Sequence, residues 1–286
     1  MLLFRRTLFL RVSLRPLRLA LYNTNMKIGV RLESMGLPLR RALLEAERLG
    51  VAGVQVDAAG DLAPNQLSQT GRQEFLHLLR GHNLELTALG CPLRHSLDHP
   101  DGQEGRIEYV KKVMSLSFDL GPRRVVIQAG EIPEGAEDPR WPSLAEPLEA
   151  LGRHGDRIGV VLAIETGLEP GAILAKMLDR LDTGGLGVNF DPANLLMNGI
   201  DVYASLAALA GRVVHTHAHD ARQTGANRAV QEVPLGHGDI DWMRYLSELE
   251  QYDYRGWIVI ERESGDHRLQ DIASGVAFLK RLVPGR

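Results

Sequence analysis

Apolar runs of about five residues recur along this chain of 286 residues, separated by stretches whose apolar residues fall three and four positions apart. The runs are KIGV at 27–30, GVQVDA at 53–58, LELTALG at 84–90 and RVVIQAG at 124–130. GVVLAIE at 159–165, LGVNFD at 186–191, RVVHTH at 212–217 and WIVIE at 257–261 follow. Several are rich in Val and Ile, as strands covered on both faces require. Between them, segments 37–50, 69–83, 104–121, 169–182, 201–211 and 271–283 read as helices, the first stopping at Gly50, a C-cap signal. Strands alternating with such helices predict βαβ units. Eight of them predict an α/β fold, a single closed (β/α)8 TIM barrel rather than an open doubly wound sheet. No GxGxxG follows the first strand and no GxxxxGKS/T loop occurs, which removes the usual nucleotide-binding signatures.

The bulk numbers narrow this only slightly. A hydrophobic content of 44% over 286 residues fits one barrel, whose usual size is roughly 250 residues. No linker divides the middle of the chain, so residues 26–286 are assigned to one catalytic domain. Residues 1–25 carry five arginines and no acid, and Arg11, Arg15 and Arg18 break their apolar stretches too early for a membrane span. They read as an extension: disordered, a packed arm, or an over-long start before Met26. The net charge of −3 offers no general attraction for nucleic acid. The single cysteine, Cys91, excludes an intrachain disulfide, reads as strand-end packing and accords with a cytoplasmic location.

Candidate chemistry is concentrated in the second half. Glu165, Asp191, His217 and Glu261 each close one of the last four apolar runs. Ligand-type residues at the C-terminal ends of successive strands are where a β/α barrel builds its active site. Three carboxylates and an imidazole suit a divalent ion, Mn, Mg, Co or Zn, and without a cation the carboxylates would repel one another. Period-two alternation puts Val213, His215, His217 and His219 on one face and Val214, Thr216 and Ala218 on the other. Each signal also has a plainer account: Asp191 precedes Pro192 and suits a turn, Glu165 suits a helix cap, and Glu261 opens a charged loop.

The segments AIET at 163–166, NFDPANL at 189–195, HTHAHDA at 215–221, VPLGHGDIDW at 233–242 and GWIVIE at 256–261 resemble the xylose isomerase-like superfamily of sugar isomerases and epimerases. Within it, these segments look like the branch of ketose 3-epimerases and hydroxypyruvate isomerases. The resemblance implies one divalent metal ion held by Glu165, Asp191, His217 and Glu261, with Glu165 and Glu261 also catalytic as the acid/base pair. In the glycine-containing run Gly236–Asp241, Asp241 is placed to cap the following helix. The chain departs from the epimerase pattern at Asn194, where the family more often has a histidine, so Asn194 is a substrate-binding candidate that cannot titrate near neutrality.

The chemistry implied is an isomerase or epimerase of a small sugar or hydroxy-ketone, by proton abstraction alpha to a carbonyl and an enediolate intermediate. His219, Arg222, His95, Gln128 and Trp141 are further candidates for substrate binding, and Trp242 either walls the pocket or packs its own unit. A metal histidine usually gives its second N–H to an acceptor, which the sequence does not identify. A metal-dependent dehydratase or lyase of a keto-polyol is the first alternative. An apurinic endonuclease-like phosphoryl hydrolase and a non-catalytic sugar-binding barrel are the others. The expected partner is a small sugar or polyol, with no nucleic acid, no membrane and an open possibility of homo-oligomers.

Overall fold

The computed structural model describes residues 26–224 and 229–283. The extension assigned to residues 1–25 lies outside the described residues. Strands β1 (Lys27–Arg31), β2 (Gly53–Asp57), β3 (Glu85–Gly90), β4 (Arg124–Ile127), β5 (Val161–Glu165), β6 (Leu186–Phe190), β7 (Val213–Ala218) and β10 (Trp257–Ile260) close into one parallel barrel. Closure comes from β1, which pairs with β2 on one side and β10 on the other. An antiparallel hairpin, β8 (Asp220–Thr224) and β9 (Ala229–Val233), follows β7. Surrounding helices are α1 (Leu39–Leu49), α2 (Gln69–Gly81), α3 (Gln103–Leu120), α4 (Trp141–Ile158) and α5 (Gly171–Leu178). The remainder are α6 (Pro192–Met197), α7 (Val202–Ala208), α8 (Trp242–Gln251) and α9 (Arg268–Leu282). No described helix is long and apolar enough to cross a membrane.

All eight expected strands form, and the α/β barrel is the fold. Gly50 ends α1 in the left-handed conformation, at φ 63°, where a glycine costs least. The apolar pattern did not single out α6, α8, the β8–β9 hairpin or helix α4. Pro147 sits inside α4 and lacks the N–H that would bond the carbonyl four residues back. That carbonyl, on Ser143, instead accepts from Gln103 Nε2 at 2.8 Å, so the helix runs through its proline.

The main core lies between barrel and helices, while a small cluster of Ala88, Val126, Ala163 and Val214 fills the interior. Val214 corrects the face assignment for β7. Asn189 pairs with His215 but Val188 pairs with Val213, so Val214 is an extra, bulged residue. Both Val214 and His215 therefore point inward, a break in alternation that a β-bulge produces. A second bulge places Thr87 between Leu86 and Ala88 on β3. The two bulged segments meet inside the barrel, where the Thr87 hydroxyl donates to His215 Nε2 at 3.2 Å.

Candidate metal centre

At the C-terminal mouth of the barrel, Glu165, Asp191, His217 and Glu261 each offer one ligand atom, and these atoms lie within 4.8 Å of one another. β5 ends at Glu165, Asp191 follows β6, His217 lies in β7 and Glu261 follows β10. His217 Nε2–H donates to Gln55 Oε1 at 3.0 Å. That bond supplies the acceptor the sequence left unidentified and turns Nδ1 toward the cluster. Nδ1 lies 2.6 Å from Glu261 Oε2, 3.4 Å from Asp191 Oδ2 and 3.8 Å from Glu165 Oε2.

Each carboxylate is held from outside the cluster. Asp191 does cap a helix: its Oδ1 accepts from Asn194 N at 2.9 Å, opening α6. Its Oδ2 accepts from His219 Nδ1 at 3.0 Å. The turn-forming and ligand-type readings of Asp191 thus use different oxygens of one side chain. Glu165 Oε1 accepts from Gln128 and Asn194, at 3.1 and 3.0 Å, and Oε2 accepts from Asn189 at 3.1 Å. Glu261 Oε1 accepts from Arg31 Nη1, while Arg31 Nη2 donates to Asp57 Oδ2 at 3.0 Å. Below the cluster, His215 donates from Nδ1 to Asn189 Oδ1 at 2.9 Å. Burial, then the neighbouring His217, holds the His215 pKa well below its ordinary value, so a neutral ring with Nε2 as acceptor fits both bonds.

The electrostatics of these groups ask for a cation. Burial, reinforced by Glu261 and Asp191 against the pull of His217, pushes Glu165 up to about 7. Burial opposes ionisation of Glu261 too, but His217 and Arg31 hold it well below the carboxylate range. His217 is raised to about 10 against its own burial by Glu261, Asp191 and Glu165. A proton on His217 thus supplies part of the positive charge that three buried carboxylates need. A divalent ion would supply more of it, and oxygen and imidazole donors in this number suit Mn, Mg, Co or Zn.

A cavity of about 340 Å³ lies beside the cluster, lined among others by Arg31, Gln55, Asp57, His95, Gln128 and Glu165. Cys91 also lines it, buried, its thiol pushed up to about 12 by burial and then by Asp57. Of the substrate-binding candidates, Gln128 and His95 border this space, and the His95 ring stacks on His99 at 4.6 Å. Asn194 reaches the cluster through Glu165. His219 is buried behind Asp191. Arg222 is exposed on β8, 4.0 Å from Asp239. Trp141 opens α4 beneath Arg180, 5.5 Å from its ring centroid. Neither residue borders the cavity.

Trp242 packs its own unit, edge-on to Tyr245, and donates to Asp220 Oδ2 at 3.0 Å. The same oxygen accepts from Gly236 N and Gly238 N, at 2.8 and 3.1 Å. A Cβ on Gly238 would lie 1.9 Å from Asp220 Oδ1, which accounts for a glycine at that turn. Asp241 Oδ1 accepts from Arg244 N at 3.0 Å and caps α8, as expected. Arg31, Gln55, Asp57 and Glu232 are polar groups of this region that the strand-end pattern did not single out.

The family model described as xylose isomerase-like TIM barrel matches residues 43–282. The chain belongs to that family. It is 26% identical over 190 residues to an uncharacterized protein of Methanocaldococcus jannaschii, covering 62% of each chain. It is also 26% identical over 144 residues to the inosose dehydratase of Lacticaseibacillus casei, spanning 44% of this chain and 48% of that enzyme. The matched region thus covers about half to three-fifths of these curated relatives. Among solved structures, a xylose isomerase domain protein from Planctomyces limnophilus superposes with a TM-score of 0.80 at 25% identity, over 90% of this chain and 97% of that one.

Proposed function

We propose, from membership of this family and from the geometry of the quartet, that the chain is a divalent-metal-dependent isomerase or epimerase of a small sugar or hydroxy-ketone. The observation that carries this reading is the convergence of four ligand atoms within 4.8 Å of one another, beside a cavity into which Glu165 projects. Glu165, Asp191, His217 through Nδ1, and Glu261 would hold the ion. When bound, it would act as a Lewis acid toward the carbonyl and hydroxyl oxygens of the substrate, favouring the enediolate.

The residues themselves divide the remaining work. Glu165 borders the cavity and is the group placed to remove the proton alpha to the carbonyl. Gln128 and Asn194 fix its carboxylate from one side and Asn189 from the other. Gln128 and His95 face the same space and would meet substrate hydroxyls. In epimerisation Glu165 would keep the proton it removes and Glu261, after taking one up from solvent, would deliver it to the opposite face; in isomerisation Glu165 would return its proton to the neighbouring carbon while the hydroxyl proton moves to the former carbonyl oxygen.

A second reading, dehydration of a keto-polyol, is favoured by one specific contact. Arg31 occupies Glu261 Oε1, and Oε2 faces His217. A carboxylate so engaged is a poor partner for returning a proton, whereas dehydration needs one base and a departing β-hydroxyl. The inosose dehydratase relative accords with this route. Incubation of the metal-loaded protein with ketoses, aldoses, inososes and hydroxypyruvate in D₂O separates the two. Deuterium on an alpha carbon of an isomeric product supports isomerase or epimerase chemistry, and loss of water supports the dehydratase. A folded protein that binds no divalent ion, or turns over without one, overturns both.

A further inference from the structure

The hairpin β8–β9 carries a half-buried acid that the chemistry above does not use. Glu232 extends from β9 toward His219, whose other nitrogen bonds the candidate metal ligand Asp191. Glu232 Oε1 lies 3.2 Å from His219 Nε2, at ion-pair distance though outside hydrogen-bonding geometry. The acid is fixed by the loop after β10. Glu232 Oε1 accepts from Glu263 N at 2.8 Å, and Oε2 accepts from Ser264 N at 2.7 Å and from the Ser264 hydroxyl. Arg262 Nη1 lies 3.0 Å from Oε2, and Arg262 Nε donates to Asp271 Oδ2 at 2.9 Å. Asp191, His219, Glu232, Arg262 and Asp271 thus form one connected chain, buried at Asp191, His219 and Arg262 and half-buried at Glu232 and Asp271. It runs from the end of β6, past β7 and the hairpin, to helix α9.

We infer that Glu232 is a positioning residue of the metal centre, acting through His219 to fix Asp191. This rests on the reading that the quartet holds a divalent ion. His219 has no room to choose another orientation: its ring is 1% exposed and is gripped at Nδ1 by Asp191 and faced at Nε2 by Glu232. Asp191 in turn has Oδ1 committed to the α6 N-terminus. The direction in which Oδ2 presents its lone pairs is therefore set by the ring, and the ring by an acid from outside the barrel. The hairpin is part of the centre rather than an appendage to it. Outer partners of this kind commonly govern affinity as much as geometry.

The test uses the full chain and Co²⁺ alone. The Kd is measured calorimetrically, and the visible spectrum of the bound ion reports ligand geometry. Glu232→Gln is expected to weaken Co²⁺ binding about 10- to 100-fold and to alter the spectrum. In a His219→Asn background the same substitution is expected to add less than about twofold, since the connection to Asp191 is already cut. Wild-type affinity and spectrum in Glu232→Gln, or an equal loss in both backgrounds, would overturn the role. If Glu232→Gln does not fold, Glu232→Asp keeps the charge and shortens its reach, and the same two measurements decide. A wild-type chain that binds no Co²⁺ overturns the metal reading itself, and this inference with it. Normal binding by the wild type and by the variant overturns the inference alone.

Discussion

The two sides of the barrel mouth are built on different principles. On the side of β5, β6, β7 and β10, the strand ends carry Glu165, Asp191, His217 and Glu261, and every one is braced by a neighbour. On the side of β1 to β4, the ends carry Arg31, Asp57, Cys91 and Gln128 around open space. One side is braced and, apart from Glu165 at the cavity wall, buried, as a centre that must hold its geometry requires. The other exposes mixed donors and acceptors to whatever enters, as recognition requires. Under the proposed function, chemistry and substrate choice would fall to opposite arcs of one ring.

The largest effect should come from the braced side. His217→Ala is expected to abolish stoichiometric metal and to lower turnover on the order of 10³-fold or more, by metal analysis and steady-state kinetics. Retention of both would break the comparison. Gln55 crosses the divide, since it stands on β2 yet orients His217. Gln55→Leu should weaken metal binding about 10- to 100-fold while leaving the ligand set intact; unchanged affinity would return Gln55 to the recognition side.

The seam between the sides is Glu169, a buried acid after β5 that accepts from Ile132 N after β4 at 3.2 Å. Burial, chiefly, raises its pKa to about 7 from 4.5. The folded state therefore keeps a proton that the unfolded state loses across that window, so stability falls as pH rises from about 4.5 to about 7. The penalty is absent below the window and complete above it. Glu169→Gln should remove its share of this slope, leaving that of Glu165, and stabilise the metal-free protein at pH 8 by about 1–2 kcal/mol, read from urea unfolding at pH 4.5 and 8. A slope unchanged by the substitution would assign it elsewhere. Smaller still, His95→Ala should shift kcat/KM by about tenfold among related substrates. Arg222→Ala, away from the cavity, should change it by less than about twofold.

The same division governs what could be read from the sequence. Glu165, Asp191, His217 and Glu261 end apolar runs, so period-two spacing and strand order mark them in the sequence itself. Gln55 and Arg31 lie within or at the end of equally ordinary strands, and nothing in GVQVD or KIGVR marks their side chains as neighbours of His217 and Glu261. Those contacts depend on distances across the barrel, which only closure brings about. Glu232 was illegible for a related reason: its partners belong to a loop some thirty residues away. Helix α4 was hidden by Pro147, whose missing bond is made good by Gln103 from α3. The bulge at Val214 leaves no periodic trace at all, because a single extra residue looks like ordinary sequence until its partner strand is known.

That bulge makes the lower barrel and its rim separately adjustable. Val214 fills space left by Ala88, Ala163 and Gly187, while Thr216 still faces the helices and His215 and His217 still face inward. A change of size at Val214 is expected to repack the floor while the hydrogen bonds of His215 and His217 to Asn189 and Gln55 hold both rings. In a lineage of such barrels, the foundation can drift under the machinery it supports.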